Sequence, residues 1–319
     1  MVVEGFDYIV VGAGTAGCVL AHRLSADPNV TVLLLEAGGK DDYFWIDIPI
    51  GYLYTIGNPR TDWCYRTEPE PGLNGRSIGY ARGKVLGGCS SINAMIYMRG
   101  QRSDYDHWGS LGNRGWSWDD VLPYFKREED YQHGADALHG AGGELRVEER
   151  RVSWEILDAW REAAEECGIP KIAEFNRGDN FGNAYFHMNQ KRGRRWGATK
   201  AWLRPAMGRP NLAVVTHGHV RKVTIDSAEG RKRATGIELA RNHLSAGETV
   251  GFLGVVRCAD ARAIQKSHFD GGSGDGGAQL DRPAGGRHRR DEHHAGVGDR
   301  ADQGDWDPEG GRCAKARHH

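Results

Sequence analysis

Residues 7–39 read DYIVVGAGTAGCVLAHRLSADPNVTVLLLEAGG, and the order of their parts decides the fold. Tyr8 to Val11 are apolar and β-prone without alternation, as in a strand covered on both faces. Gly12, Gly14 and Gly17 follow in the spacing G-x-G-x-x-G. The first glycine permits a tight turn, the second lets main chain approach a pyrophosphate, and the third lets a helix pack close on the strand. That helix is predicted over Thr15 to Leu24. Its first N–H groups have no intrahelical partners and carry the positive end of the helix dipole, so they suit an anion. A second apolar strand, Thr31 to Leu35, ends in Glu36, 19 residues after Gly17. A carboxylate at about that spacing meets a ribose 2′-hydroxyl in dinucleotide sites. Glycines alone would fit a βα turn without a ligand. Strand, glycines, helix, strand and acid in this order predict a dinucleotide. NAD and FAD both carry the free hydroxyl, and the motif fits either.

The chain has 319 residues, enough for one large domain or two smaller ones. Its net charge of −1 offers no bulk attraction to nucleic acid or to an anionic membrane. No apolar run reaches the roughly 18 residues of a transmembrane helix. The opening MVVEGFDYIVVGAG lacks a basic region and a cleavage site, and reads as a strand. Six cysteines, at positions 18, 64, 89, 167, 258 and 313, are scattered without a C-x-x-C pair. That predicts free thiols in a reducing cytoplasm. A cytoplasmic location is therefore expected, with a peripheral position on the inner membrane as the alternative.

Residues 80–106, YARGKVLGGCSSINAMIYMRGQRSDYD, choose the cofactor. Gly87 and Gly88 let main chain press against a ligand. Ser90, Ser91 and Asn93 set hydrogen-bonding side chains beside them, and Met95 and Ile96 supply an apolar surface. Polar main chain next to an apolar platform suits a flat ring with polar edges, such as an isoalloxazine.

With these motifs the sequence resembles the glucose–methanol–choline (GMC) oxidoreductases, on the choline-dehydrogenase-like and alcohol-dehydrogenase-like side of that family. The resemblance rests on VVGAGTAGCVLAHRLS, LLLEAGG, GKVLGGCSSINAMIYMRG, RGWSWDDVLPYFKREED and WLRPAMGRPNLAVVTHGHVRKV, and runs in order from about Phe6 to Leu239. It implies an α/β fold: a Rossmann-like, doubly wound FAD-binding sheet with an incomplete α+β substrate domain and a disordered tail. Residues 1–140 would form the first part of the FAD-binding domain and residues 141–205 the start of the substrate domain. Residues 206–256 would return to the FAD-binding domain, and residues 257–319 would form the tail.

The resemblance also implies FAD as cofactor and hydride transfer from a small primary alcohol to flavin N5, with oxygen or a quinone as electron acceptor. Gly12, Gly14, Thr15, Ala16 and Gly17 would hold the pyrophosphate. Glu36 would bind ribose and Ala37 would line the adenosine. Val85, Gly87, Ser91, Asn93, Ala94, Met95 and Ile96 would lie along the flavin, and Val220 would meet the adenine through its backbone. Ile92 stands where some members carry a histidine joined covalently to FAD. Isoleucine forms no such bond, so a dissociable flavin is expected.

Smaller signals read as structure. The aromatic stretch 104–125 could stack nucleic-acid bases, but its interleaved Asp residues would repel phosphates; a helix capped at Ser117 is expected instead. KRGRRW (191–196) reads as a solvated basic loop. WEILDAWREAAEECGIP (154–170) reads as an amphipathic helix stopping at Gly168, with a packed Cys167. GELRVEERR (143–151) reads as an antiparallel strand, and His217 and His219 as ordinary histidines on one face of a strand with no metal.

The pattern then fails. From Cys258 to His319 the only Ile, Leu, Val or Met residues are Ile264, Leu280 and Val297. So little apolar surface cannot offset the chain entropy lost on folding. The Gly, Arg, Asp, Ala and His that remain are residues of GC-rich codons. The expected origin is a reading-frame shift near residues 240–270; a natural disordered tail and a His-rich metal-binding tract are the alternatives. In the family the alcohol proton goes to a C-terminal histidine. None of His288, His293, His294, His318 and His319 lies in a matching motif, so no catalytic residue is assigned and little or no turnover is expected. The alternative function is a non-catalytic flavin-binding module.

Overall fold

Strands β1 (Tyr8–Val11) and β2 (Val32–Leu35) lie parallel, with Tyr8 opposite Val32 and Val11 opposite Leu35. Helix α1 (Thr15–Leu24) is the crossover between them. The strand Leu212–Val215 pairs in parallel with the other edge of β2, so β2 is central and all four of its residues are buried. Its unbroken apolar run follows from that position, since both faces are covered. Val32 and Leu34 pack with Val10 against Ala21 of α1 and against Trp202, Leu203 and Ala206 of a π-helical turn and the short helix after it. Leu33 and Leu35 point the other way, against Ile237 and Val220 of the hairpin Val220–Ala228/Arg231–Leu239. Full burial of one such leucine is worth about 1.5–3 kcal/mol. The computed structural model describes residues 5–228 and 231–240. The expected frame shift, the tail and its histidines lie outside the described residues.

Helices α2 (Arg102–Ser110) and α3 (Trp118–Glu128) begin with capping boxes, built on Gln101 with Asp104 and on Ser117 with Asp120. The cap expected at Ser117 is therefore present, and Trp118 behind it is buried. Strand β3 (Glu129–Tyr131) follows directly and pairs with β4 (Leu145–Val147) in parallel, not antiparallel as the alternating pattern suggested. Side-chain alternation has the same period in both pairings, so it could not tell them apart. An antiparallel contact does exist one residue on, where Glu148 bridges Met188.

Helix α4 (Glu155–Glu166) ends as expected, with Gly168 at φ +86° and its N–H donating to the Glu165 carbonyl. Among its residues Ala164 is buried, whereas Ile156, Leu157 and Trp160 are exposed. Cys167 is exposed, contrary to the packed position expected, as are the apolar side chains Ile156, Leu157 and Trp160 that carried the helical spacing. His217 and His219 also differ from expectation. They lie in the connection between strands, His217 at φ +59°, because the chain turns there to start the hairpin. Among the described residues no group of three or more His, Cys, Asp or Glu is placed to hold a metal.

The loop after β3 closes over a buried charged network. The ring of His139 has Nδ1 at 3.1 Å from Glu129 and Nε2 at 2.9 Å from Glu174. Both nitrogens face carboxylates, so both carry protons and the ring is an imidazolium. Burial opposes that charge, but hydrogen bonds to Glu129 and Glu174 overcome it and push the His139 pKa up to about 9. Arg99 joins Glu129 at 2.8 Å with both side chains buried, and Tyr131 stacks on His139 at 4.1 Å. Burial holds neighbouring His187 below its ordinary value, hence neutral. The network ties β3, the 136–140 loop and the 174–177 loop together.

Candidate functional site

Three loops meet at the carboxyl ends of β1 and β2, where open α/β sheets bind ligands. The first is the turn from β1 into α1. Gly12 N–H donates to the Leu35 carbonyl at 2.7 Å, tying the turn to β2. Gly17 sits where a Cβ would lie 1.9 Å from the Gly12 carbonyl oxygen, so helix and turn touch main chain to main chain. At Gly14, by contrast, nothing lies within 4 Å of a Cβ position. Gly14 caps α1 without a side-chain hydrogen bond, and the first turn holds no acidic residue. Thr15 and Ala16 are exposed. Unsatisfied N–H groups thus face open space, which is what a diphosphate needs.

The second loop follows β2. Glu36 is 5% exposed, and its two carboxylate oxygens accept from Ala13 N–H and Gly38 N–H, both at 2.8 Å. Each oxygen keeps a further lone pair for a hydroxyl donor. Ala37 is half-buried, and the Gly38 carbonyl accepts from His217 N–H at 2.9 Å. Val220, the next strand residue, packs partly buried against Leu33 and Leu35.

The third loop holds the residues expected along a ring. Gly87 N–H donates to the Ala13 carbonyl at 2.7 Å. Gly88, at φ +53°, would set a Cβ 2.8 Å from Gly14 Cα, so the first and third loops are in backbone contact. Ser91 Oγ donates to the Leu86 carbonyl, and Ser90 Oγ donates to the Gly87 carbonyl while accepting from Ala198 N–H. These hydroxyls brace the loop. Val85, Gly87, Ser91 and Met95 are buried, whereas Asn93 and Ile96 are exposed and Ala94 is half-buried. Ile92 is buried in an apolar cluster with Ile46 and Val85.

One residue behind this loop was hidden by its setting in the sequence. Arg195 belongs to the cluster KRGRRW, read above as solvated. Lys191, Arg192 and Arg194 are exposed, but Arg195 is 2% exposed. Arg192 and Gly193 both have positive φ and turn a tight hairpin that pairs Arg195 with buried Gln190. The hairpin period therefore carries the signal: residues 190 and 195 share the inner face, and 191 and 194 the outer. Arg195 Nε donates to the Ile46 carbonyl at 2.7 Å, and Nη1 to Ser90 O at 3.2 Å and to Asn93 Oδ1 at 2.8 Å. Burial lowers its pKa to about 10, with Asp47 opposing, so it stays charged at neutral pH.

The site fits comparison with known proteins. The family profile described as GMC oxidoreductase matches residues 6–259. An oxygen-dependent choline dehydrogenase from Sinorhizobium fredii is 42% identical over 235 residues, covering 74% of this chain and 42% of the relative. Human mitochondrial choline dehydrogenase is 39% identical over 246 residues, 75% of this chain and 41% of the relative. The chain thus spans less than half the length of these relatives. In structure it resembles pyridoxine 4-oxidase from Mesorbium loti (TM-score 0.69, 37% identity, 74% of this chain and 46% of that one). It also resembles an FAD-dependent oxidoreductase from Chaetomium thermophilum (TM-score 0.67, 30% identity, 74% and 42%). Glycine loops in backbone contact, a buried acid bonded to their amides, and this spread of matches lead to one conclusion: the chain belongs to the GMC oxidoreductase family, whose cofactor is FAD.

Proposed function

We propose that the described residues form the FAD-holding part of an enzyme that oxidises the CH–OH group of a small primary alcohol, choline-like or aliphatic. The observation that carries this reading is the Gly87–Ala13 hydrogen bond at 2.7 Å, which joins an open anion-binding helix end to a loop suited to a flat ring. In this reading the main chain of Gly12, Gly14, Thr15, Ala16 and Gly17 receives the pyrophosphate. Glu36 accepts from a ribose hydroxyl while fixing the Ala13 and Gly38 amides. Ala37 lines the adenosine and Val220 meets the adenine through its backbone. Val85, Gly87, Ser91 and Met95 shape the floor of the ring site from within, and Asn93, Ala94 and Ile96 face the ring. FAD, when bound, supplies the acceptor for the hydride leaving the alcohol carbon.

No described residue is assigned as the base that takes the alcohol proton; in this reading the described part holds the cofactor. The electron acceptor in this reading is oxygen or a quinone. Residues 1–140 and 206–256 serve the cofactor, and residues 141–205 begin the substrate side. No described helix is long and apolar enough to cross a membrane.

The test is a titration of the purified 319-residue chain with FAD. Quenched flavin fluorescence, a yellow protein fraction and a raised melting temperature are expected. A chain that stays colourless and unshifted in excess FAD overturns the proposal. Alcohol-dependent dye reduction then separates an enzyme from a flavin-binding module: negligible reduction is expected. A second prediction concerns attachment. Ile92 offers no nucleophile and its side chain is buried, so acid precipitation is expected to leave all the flavin in the supernatant. Yellow colour that stays with the pellet would contradict it.

A further inference from the structure

Asn93 is the exposed polar side chain of the ring-facing loop, and its amide is held one way round. Oδ1 accepts from Met95 N–H at 3.0 Å and from Arg195 Nη1 at 2.8 Å. With the amide reversed, two donors would face a third donor, Nδ2. Oδ1 is therefore turned inward, and no acceptor among the described residues meets Nδ2. Arg195 is itself held in place by the Ile46 and Ser90 carbonyls. It makes no ion pair among the described residues, and its Nη2 is buried without a hydrogen-bond partner. Buried guanidinium groups are ordinarily paired with a carboxylate, but Asp47, the carboxylate that acts on Arg195, is ion-paired with Lys200 and Arg194 instead, so a guanidinium beside an exposed amide calls for a role.

We infer that Arg195 is a positioning residue, a buried fork that locks Asn93 so that its amide presents N–H donors, and only donors, to the polar edge of the bound flavin. The inference rests on the FAD reading above. A flavin ring edge carries carbonyl oxygens and unprotonated ring nitrogens, which accept hydrogen bonds, so a fixed donor matches the oxidised cofactor. The planar fork of arginine reaches the Ile46 carbonyl, the Ser90 carbonyl and Asn93 Oδ1 at once. Lysine carries the charge without that geometry.

The experiment uses FAD dissociation constants from fluorescence quenching together with the melting temperature of the FAD-free chain. Asn93→Ala is expected to weaken FAD binding about tenfold, the loss of one hydrogen bond. Arg195→Lys is expected to do the same, and the double variant to be no weaker than Asn93→Ala alone. Asn93→Asp gives effects of opposite sign. A carboxylate at position 93 would form an ion pair with the Arg195 guanidinium and raise the melting temperature of the FAD-free chain, while FAD affinity falls because a donor has become an acceptor. Additive losses in the double variant, or Asn93→Asp binding FAD like the wild type, would overturn the positioning role. So would a fall of both quantities in Asn93→Asp, which marks a merely structural contact. Absence of FAD binding by the wild-type chain sinks the cofactor reading itself, a result distinct from the others.

Discussion

Replacement of His139 by alanine is expected to destabilise the chain by about 3–5 kcal/mol, the cost of removing one partner from a buried ion pair. The imidazolium separates Glu129 and Glu174 and donates to both. Without it two carboxylates face each other in a buried space with Arg99 as the nearest compensation, 2.8 Å from Glu129. Urea denaturation monitored by circular dichroism checks this, and a loss below about 1 kcal/mol, the scale of an exposed pair, would refute it. The same network sets a pH dependence. The folded His139 pKa lies near 9, above its ordinary value of 6.5, so its stabilisation is complete below pH 6.5 and is lost as pH rises through 9. Glu129 and Glu174 are held below their ordinary value of 4.5 despite burial, by His139 in both cases and by Arg99 or Arg177. Their stabilisation is present above pH 4.5 and lost in acid. Neutral His187 likewise favours folding above its ordinary pKa and weakens it below. The network is therefore most stabilising near pH 6.5. A denaturation midpoint in His139→Ala that still falls between pH 7 and 9 as in the wild type would contradict this origin.

Gly17→Val is expected to abolish FAD binding and to destabilise the fold by about 3 kcal/mol or more, the upper end for overpacking. The clash is with main chain, the Gly12 carbonyl at 1.9 Å, and no rotamer relieves it. Helix α1 must tilt away from β1, which opens the core around Val10 and Ala21 and moves the Gly14–Ala16 amides from the diphosphate. Gly14→Ala is the control. Its Cβ meets no atom within 4 Å, so the fold should tolerate it while a bound pyrophosphate would not. A Gly14→Ala chain that melts like the wild type but binds FAD more weakly is the expected pattern. A Gly17→Val chain with wild-type stability and FAD affinity would refute the close-packing account.

The sheet and the glycine loops at its carboxyl end were legible because each rests on local chemistry. An unbroken apolar strand, glycines at fixed spacing and an acid after the second strand need no knowledge of distant residues. The pairing of Leu212–Val215 with β2 was not legible, since pattern alone fixes no partner. Parallel pairing of β3 with β4 was not legible, since alternation is blind to direction. Arg195 was misread because composition describes a segment's average while burial belongs to single residues; Cys167 was misread because helical spacing marks an apolar stripe without saying what covers it. Arg195 differs from Arg194 only in which face of a two-residue hairpin it occupies. His139 lies in LHGAGG, which looks like any glycine-rich loop; its carboxylate partners stand 10 residues before it and 35 after.

The contact between Gly14 and Gly88 contains no side chain at all. The distance separating the helix end from the ring-facing loop is thus a ruler drawn in peptide. Neighbouring side chains can drift and repack without stretching it, whereas a single added methyl at position 88 would pry it open. Tolerance to mutation around this ruler and intolerance on it should sit one residue apart.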